Sequence, residues 1–167
     1  NIPVAVVERT LMQDWLAQLE AGGLRADSFR VESDGVPSVP ATINLLIEAD
    51  TAIIRDHLGA HVITDTGSLQ MVLEMLLDQH NDSMENDATV VPVNVIAYCD
   101  EAMHTGFSDL WERLRMRAET VDVKILTDGA LPFLAAQLAG SKGIDLLQGD
   151  YARKSEINFE WGPWRLP

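Results

Sequence analysis

Two hydrophobic periods alternate along this chain, and the places where one gives way to the other mark out its elements. Ile2 to Val7 is a short β-rich run and reads as a strand. After it Met12, Trp15, Leu16 and Leu19 recur at spacings of three and four, which predicts a helix with one apolar face, ended by Gly22-Gly23. Arg30 to Pro40 scatters three valines among serine, aspartate, glycine and two prolines, the pattern of a connector, with a unit boundary expected near Gly35. Three β-branched-rich runs follow: Thr42 to Glu48, Thr51 to His57 and Ala60 to Thr64. Their connections, Ala49-Asp50 and Leu58-Gly59, are tight enough to predict an antiparallel meander. Thr64 or Asp65 is placed to cap a helix running to about His80, with Leu69, Val72, Leu73 and Leu76 as its buried stripe.

The second half changes character. Asn81 to Asp87 is polar and acidic and reads as a loop. Val90 to Tyr98 is nearly all apolar, as expected of a strand covered on both faces in a parallel region. Phe107, Leu110, Trp111 and Leu114 predict a helix. Val121, Val123 and Ile125 alternate as a further strand, near a sheet edge because Asp122 and Lys124 face the other way. Leu131, Leu134, Ala135 and Leu138 predict a last helix, closed by Gly140. Strands alternating with helices require crossover connections and parallel pairing. Ile144 to Pro167 has no clear period but is aromatic-rich, with Tyr151, Phe159, Trp161 and Trp164 near Arg153-Lys154 and Arg165. Tryptophan beside arginine suits the headgroup zone of a membrane.

From Ala41 to Gly140 the predicted order is therefore strand, strand, strand, helix, strand, helix, strand, helix. This α/β order resembles a ribonuclease H-like domain, the unit from which actin-like ATPases are built. The expected division is 1–35 as a β-α piece completing a preceding truncated domain, 36–143 as the ribonuclease H-like core, and 144–167 as a juxtamembrane tail.

Actin-like ATPases wrap nucleotide phosphates with a glycine-containing turn after the first strand. Here that turn reads Glu48-Ala49-Asp50-Thr51, without glycine. Two carboxylates would face the triphosphate, opposing the backbone amides and positive dipole ends that bind anions. Thr127-Asp128-Gly129-Ala130-Leu131-Pro132 resembles the adenosine-contacting turn of the same enzymes, which usually carries two glycines; Gly129 survives and Ala130 replaces the second. The plainer reading, which we favour, is a helix start capped by Asp128 with Pro132 in its first turn. A nucleotide-binding alternative would rest on Glu48, Asp50, Thr51, Gly129 and Ala130. No P-loop pattern occurs.

A two-metal nuclease is the remoter alternative. Such enzymes gather carboxylates from the first strand, the first long helix and the fourth strand, and Asp50 (or Glu48), Glu74 and Asp100 occupy those elements. Two divalent ions about 4 Å apart would need several oxygens from them. The first acid lies at a turn and not mid-strand, and there is no basic track for a nucleic-acid backbone. Cys99 with His104 suggests a thiol nucleophile, but no orienting acid is singled out and a buried cysteine is commoner. His57 and His61 flank one turn as two possible metal ligands without a third. Met71, Met75 and Met84 read as core and loop occupants.

Composition narrows the classes further. The 167 residues suffice for one ordinary domain, or one domain plus part of another. The formal charge is −14, from 26 acidic and 12 basic side chains, which disfavours nucleic acid and anionic lipid and suits a basic protein partner. The single cysteine forms no internal disulfide. No apolar run approaches the roughly 18 to 20 residues of a membrane span. The chain starts at Asn1 without a signal-peptide pattern, which favours a cut from something longer.

Two stretches carry a family resemblance. Pro3-Val4-Ala5-Val6-Val7-Glu8-Arg9, followed by Met12, Trp15-Leu16, Leu19 and Ala21-Gly22-Gly23-Leu24, resembles the opening of the second half of the cytoplasmic region of type II secretion (general secretion pathway) protein L, GspL. Ile144-Asp145-Leu146-Leu147-Gln148-Gly149-Asp150-Tyr151-Ala152, with Trp161 and Trp164-Arg165, resembles the segment leading into that family's membrane helix. The resemblance implies an actin-like cytoplasmic part, one membrane helix (here expected after Pro167) and a periplasmic domain. It also implies no activity and no cofactor of its own, recruitment of the secretion ATPase GspE to the inner membrane, association with protein M (GspM), and a possible homodimer. No ATPase-contacting residue transfers by motif.

Overall fold

The computed structural model describes residues 4–86, 91–141 and 143–152. The chain divides into two compact units, Val31–Gly143 and Asn1–Arg30 with Ile144–Pro167.

In the Val31–Gly143 unit, strands β1 (Thr42–Glu48), β2 (Thr51–Arg55) and β3 (His61–Asp65) form the antiparallel meander. Strands β4 (Asn94–Cys99) and β5 (Thr120–Ile125) join parallel to β1 on its other side. The sheet order is β3-β2-β1-β4-β5. That order, with only β2 antiparallel to the rest, is the ribonuclease H-like arrangement expected from the element sequence.

Position in the sheet explains why β1 is apolar throughout and β5 alternates. As the central strand, β1 is covered on both faces and buried from Thr42 to Ile47. Its Ile43, Leu45 and Ile47 face a layer of helices, with Leu69, Leu73 and Leu77 from one helix and Leu110, Trp111 and Leu114 from another. Leu46 points the other way, into a smaller cluster with Val36, Ile53, Tyr98 and Leu134. Strand β5 lies at the edge and buries half of its positions partially.

Helix α2 (Leu69–Asn86) runs farther than the polar composition of Asn81 to Asp87 implies: 81–86 is helical, not loop. The continuation follows from spacing and local bonding. His80 is buried on the stripe, and Ser83 Oγ donates to the Gln79 carbonyl one turn back. The predicted helix around Trp111 is split into α3 (Glu101–Gly106) and α4 (Ser108–Arg115), and α5 (Ala130–Gly140) closes the unit. Strand β4 starts later than Val90 suggests, beyond Pro92, which has no amide to donate to a ladder.

The stretch read as a connector holds a 3-10 turn, Glu32–Gly35. Gly35 is buried, and a Cβ there would stand 2.7 Å from Leu134 Cδ2 and 3.2 Å from Leu138 Cγ, so the glycine admits close approach of α5.

In the other unit, α1 (Arg9–Ala21) ends at Gly22, where the amides of Gly22, Gly23 and Leu24 return to the last carbonyls of the helix. The expected strand over Ile2 to Val7 is absent from its described part: residues 4–8 are irregular, with Val4 and Val6 exposed and, among the described residues, no neighbouring strand to supply a ladder. Asp145 organises the second segment of this unit, accepting from the amides of Phe29 and Leu147 at 3.0 Å each. Those backbone hydrogen bonds hold its carboxyl below the usual range. Trp15 meets Phe29 edge to face, 6.3 Å between centroids. Tyr151 lies in a short 3-10 turn (Gly149–Tyr151). Phe159, Trp161, Trp164, Arg153, Lys154 and Arg165 lie outside the described residues.

Candidate functional site

In open α/β sheets, ligands bind beyond the carboxyl ends of the parallel strands. Strands β1, β3, β4 and β5 all run the same way here, so the loops after Glu48, Asp65, Cys99 and Ile125 open at one edge. That edge brings together most of the residues singled out in the sequence: Glu48, Asp50 and Thr51 in the β1–β2 turn, Asp100 after β4, and Gly129 and Ala130 after β5.

The β1–β2 turn presents oxygens. Glu48 and Thr51 pair across it, and Glu48, Ala49, Asp50 and Thr51 are all exposed. The carbonyls of Ala49 and Asp50 accept from Thr66, through its hydroxyl at 3.2 Å and its amide at 3.1 Å. Neighbouring Asp65 takes the Ser68 hydroxyl and amide, which hold its carboxyl below the usual range. Asp100 caps α3 by accepting the Met103 amide at 2.7 Å. The edge is a rim of carboxylates whose nearby donors are already spent on capping.

The β5–α5 turn departs from the expected cap. Asp128 makes no capping bond; Gly129 is the N-cap residue, at φ 82° and ψ 177°. Its amide donates to the Leu126 carbonyl at 3.2 Å. Ala130 is partly buried against the cluster of Leu46, Ile53 and Tyr98. Behind this turn Tyr98 stacks on Phe133 at 4.5 Å, with Lys124 over its ring at 5.8 Å.

Glu74 sits on α2, where Gln70 donates to it at 2.9 Å, while Asp50 and Asp100 lie in turns at strand ends. Among the described residues, no three of His, Cys, Asp and Glu are grouped so as to hold a metal ion. Cys99 is fully buried, and desolvation, followed by Asp100 and Glu101, pushes its thiol up to about 11. The reactive thiolate is therefore suppressed at neutral pH. The backbone carbonyl of His104 accepts from Trp111 Nε1 at 2.9 Å.

His57 pairs not with His61 but with His80, whose Nδ1 is 3.3 Å from His57 Nε2. Sequence reasoning missed this pair, although a signal existed: His80 falls four residues after Leu76, on the buried stripe of α2.

The family model for type II secretion system protein L matches residues 1–154. This chain belongs to the type II secretion system protein L family. Comparison with curated protein sequences gives no match. Among solved structures, this protein L chain is similar to the cytoplasmic domain of EpsL, an inner membrane component of the type II secretion system of Vibrio cholerae. The two share 18% identity with a TM-score of 0.55 over 87% of this chain, which establishes the shared actin-like fold. The L-family chain spans 55% of the EpsL chain. Among its described residues, no helix is long and apolar enough to cross a membrane.

Proposed function

We propose that this chain is a non-enzymatic adaptor of the type II secretion inner-membrane platform, recruiting the secretion ATPase GspE through that enzyme's amino-terminal domain and associating with GspM. It would act at the cytoplasmic face of the bacterial inner membrane, anchored by a helix following Pro167. The observation that carries this reading is the β1–β2 turn. Where an actin-like ATPase would cradle phosphates with a glycine turn, this chain exposes Glu48 and Asp50 and turns the carbonyls of Ala49 and Asp50 toward Thr66. The exposed carboxylates at that turn repel a nucleotide's phosphates. The fold remains as a scaffold with a formal charge of −14, suited to a surface rich in lysine and arginine.

Co-purification with the amino-terminal domain of the secretion ATPase tests the adaptor role, and added salt should weaken that complex. Calorimetry with ATP and magnesium tests the rival actin-like nucleotide-binding role. Binding near roughly micromolar affinity, lost on Gly129→Val, would replace the adaptor reading with that one.

A further inference from the structure

His57 and His80 meet at a spacing that suits a shared ligand better than a direct bond. His57 lies in the hairpin between β2 and β3 and His80 on α2, so separate elements bring them together. His80 is 2% exposed and His57 is partly buried. His80 Nδ1 and His57 Nε2 stand 3.3 Å apart. Hydrogen bonds donated by nitrogen centre on about 2.9–3.0 Å. Two nitrogens held at about 2.0–2.1 Å by one tetrahedral ion stand about 3.3–3.4 Å from each other. The rings cross at 76° with centroids 4.5 Å apart, so the nitrogens do not point straight at one another.

The surroundings prepare both nitrogens to act as ligands. His80 Nε2 is 2.9 Å from the Val91 carbonyl, which only accepts, so this ring carries its hydrogen on Nε2. The lone pair of Nδ1 is then left on the His57 side. A hydrogen bond from the second ring nitrogen to a backbone carbonyl is the usual means of orienting a metal-ligating histidine. The pKa of His57 is lowered below its ordinary 6.5, by desolvation first and then by His80, so its ring is neutral at pH 7. The charge of Asp56 reaches the same ring and favours a cation there, as does the formal charge of −14.

We propose that His57 Nε2 and His80 Nδ1 together bind one divalent transition-metal ion, of the imidazole-seeking class of copper, nickel and zinc. The ion takes the place of the hydrogen between the rings, His57 carries its own hydrogen on Nδ1 instead, and water completes the tetrahedron. Two features keep the affinity moderate. His57 Nδ1 is buried without a hydrogen-bond partner, so its hydrogen finds no acceptor. Among the described residues no third His, Cys, Asp or Glu joins the pair, where a closed structural site has four protein ligands. The bound ion would clip the β2–β3 hairpin to α2. This site is independent of the adaptor role.

The test is calorimetric titration of the full chain with zinc, nickel and copper(II) salts at about pH 7.5, with magnesium as the hard-cation control. Zinc should bind one ion per chain with a dissociation constant of roughly 1–100 micromolar, and copper(II) more tightly. Magnesium should not compete, because it seeks oxygen ligands. Cobalt(II) should develop the intense visible bands of tetrahedral coordination. His57→Gln should weaken zinc binding by at least about tenfold, whereas His61→Gln and His104→Gln should bind like the parent. Zinc should raise the melting temperature of the parent and not that of His57→Gln. Imidazole nitrogen NMR of the parent gives the same answer without a variant: zinc should shift His57 and His80 and leave His61 and His104 in place. Binding matched by magnesium would assign the ions to the exposed carboxylates and overturn the proposal. Zinc binding weaker than about 1 millimolar, or unaltered by His57→Gln, would overturn it equally.

Discussion

His80 Nδ1 and His57 Nε2, 3.3 Å apart, fix one another's tautomer. His80 Nε2 lies 2.9 Å from the Val91 carbonyl, which only accepts, so that nitrogen carries the hydrogen. His80 Nδ1 is then the acceptor and His57 Nε2 the donor. The remaining nitrogen, His57 Nδ1, is buried without a hydrogen-bond partner. The pair ties the β2–β3 hairpin to α2, and a proton added at His57 Nδ1 would be buried without an acceptor.

Stability should therefore fall on mild acidification. Desolvation lowers the His57 pKa below its ordinary 6.5, the nearby His80 adds to this, and Asp56 opposes it in part. His61 is shifted the same way by desolvation and Arg55. A histidine harder to protonate in the folded chain leaves the unfolded state binding more protons below about 6.5. The fold is then at full strength above that pH and weakens as pH drops through 6.5 toward the lowered values. Urea midpoints at about pH 7.5 and pH 5.5 should show the loss. His57→Gln should flatten the profile, and removing His61 as well should flatten it further. An unchanged slope in the double variant would show that other groups set the acid limb.

The core architecture was legible because its signals are local and redundant. The β1 run, the Leu69-Leu73-Leu76 stripe and the alternation of β5 each state both an element and its cover. What composition hid were features decided across the chain. Residues 81–86 look too polar to fold, yet a helix already nucleated by the buried stripe extends through them at little cost. The strand expected over Ile2 to Val7 has the right residues but no ladder in its described part, since β propensity needs a partner strand. His57 looked closest to His61 in sequence, but a hairpin aims consecutive odd-numbered positions independently of a helix arriving from 23 residues away. At the candidate site, the acidic turn was readable outright. The spending of its carbonyls on Thr66 was not, because that bond joins two loops.

Cys99 should be nearly inert in the native chain. It is the single cysteine, fully buried, with its thiol pushed up to about 11. Labelling by a thiol reagent at about pH 7.5 should be slower than for an unfolded control by a factor approaching the folding equilibrium constant. The rate should rise with urea in step with global unfolding. Fast labelling without urea would mean that the end of β4 opens locally.

Gly35 should tolerate no side chain. A Cβ there would lie 2.7 Å from Leu134 Cδ2 and 3.2 Å from Leu138 Cγ, in a place where both Gly35 and Leu134 are buried. Gly35→Ala must displace the Leu134 side chain within a buried cluster or push α5 away from the 3-10 turn, and should destabilise by about 1–3 kcal/mol. Gly106→Ala is the matched control: a Cβ there meets nothing within 4 Å, at the end of α3. It should be neutral or slightly stabilising, as expected for alanine replacing glycine in a helix. Equal losses in chemical denaturation would show that packing against α5 is not the cause.

Gly129 tests whether its glycine serves a nucleotide or the backbone. A Cβ at Gly129 would meet nothing within 4 Å, so crowding is not what excludes a side chain. The constraint is conformational: φ 82° with ψ 177° is a region open almost only to glycine, and it lets residue 129 turn the chain into α5 where Asp128 makes no cap. Gly129→Ala should accordingly cost about 1–3 kcal/mol of stability through strain at the start of α5. Gly129→Asn should recover little, because asparagine's tolerance is for left-handed helical angles and not for an extended ψ. If the glycine served a bound nucleoside instead, saturating ATP would raise the melting temperature of the parent chain and not that of the alanine variant. The expected result is no shift in either, with the strain penalty present throughout, which assigns the glycine to the turn itself.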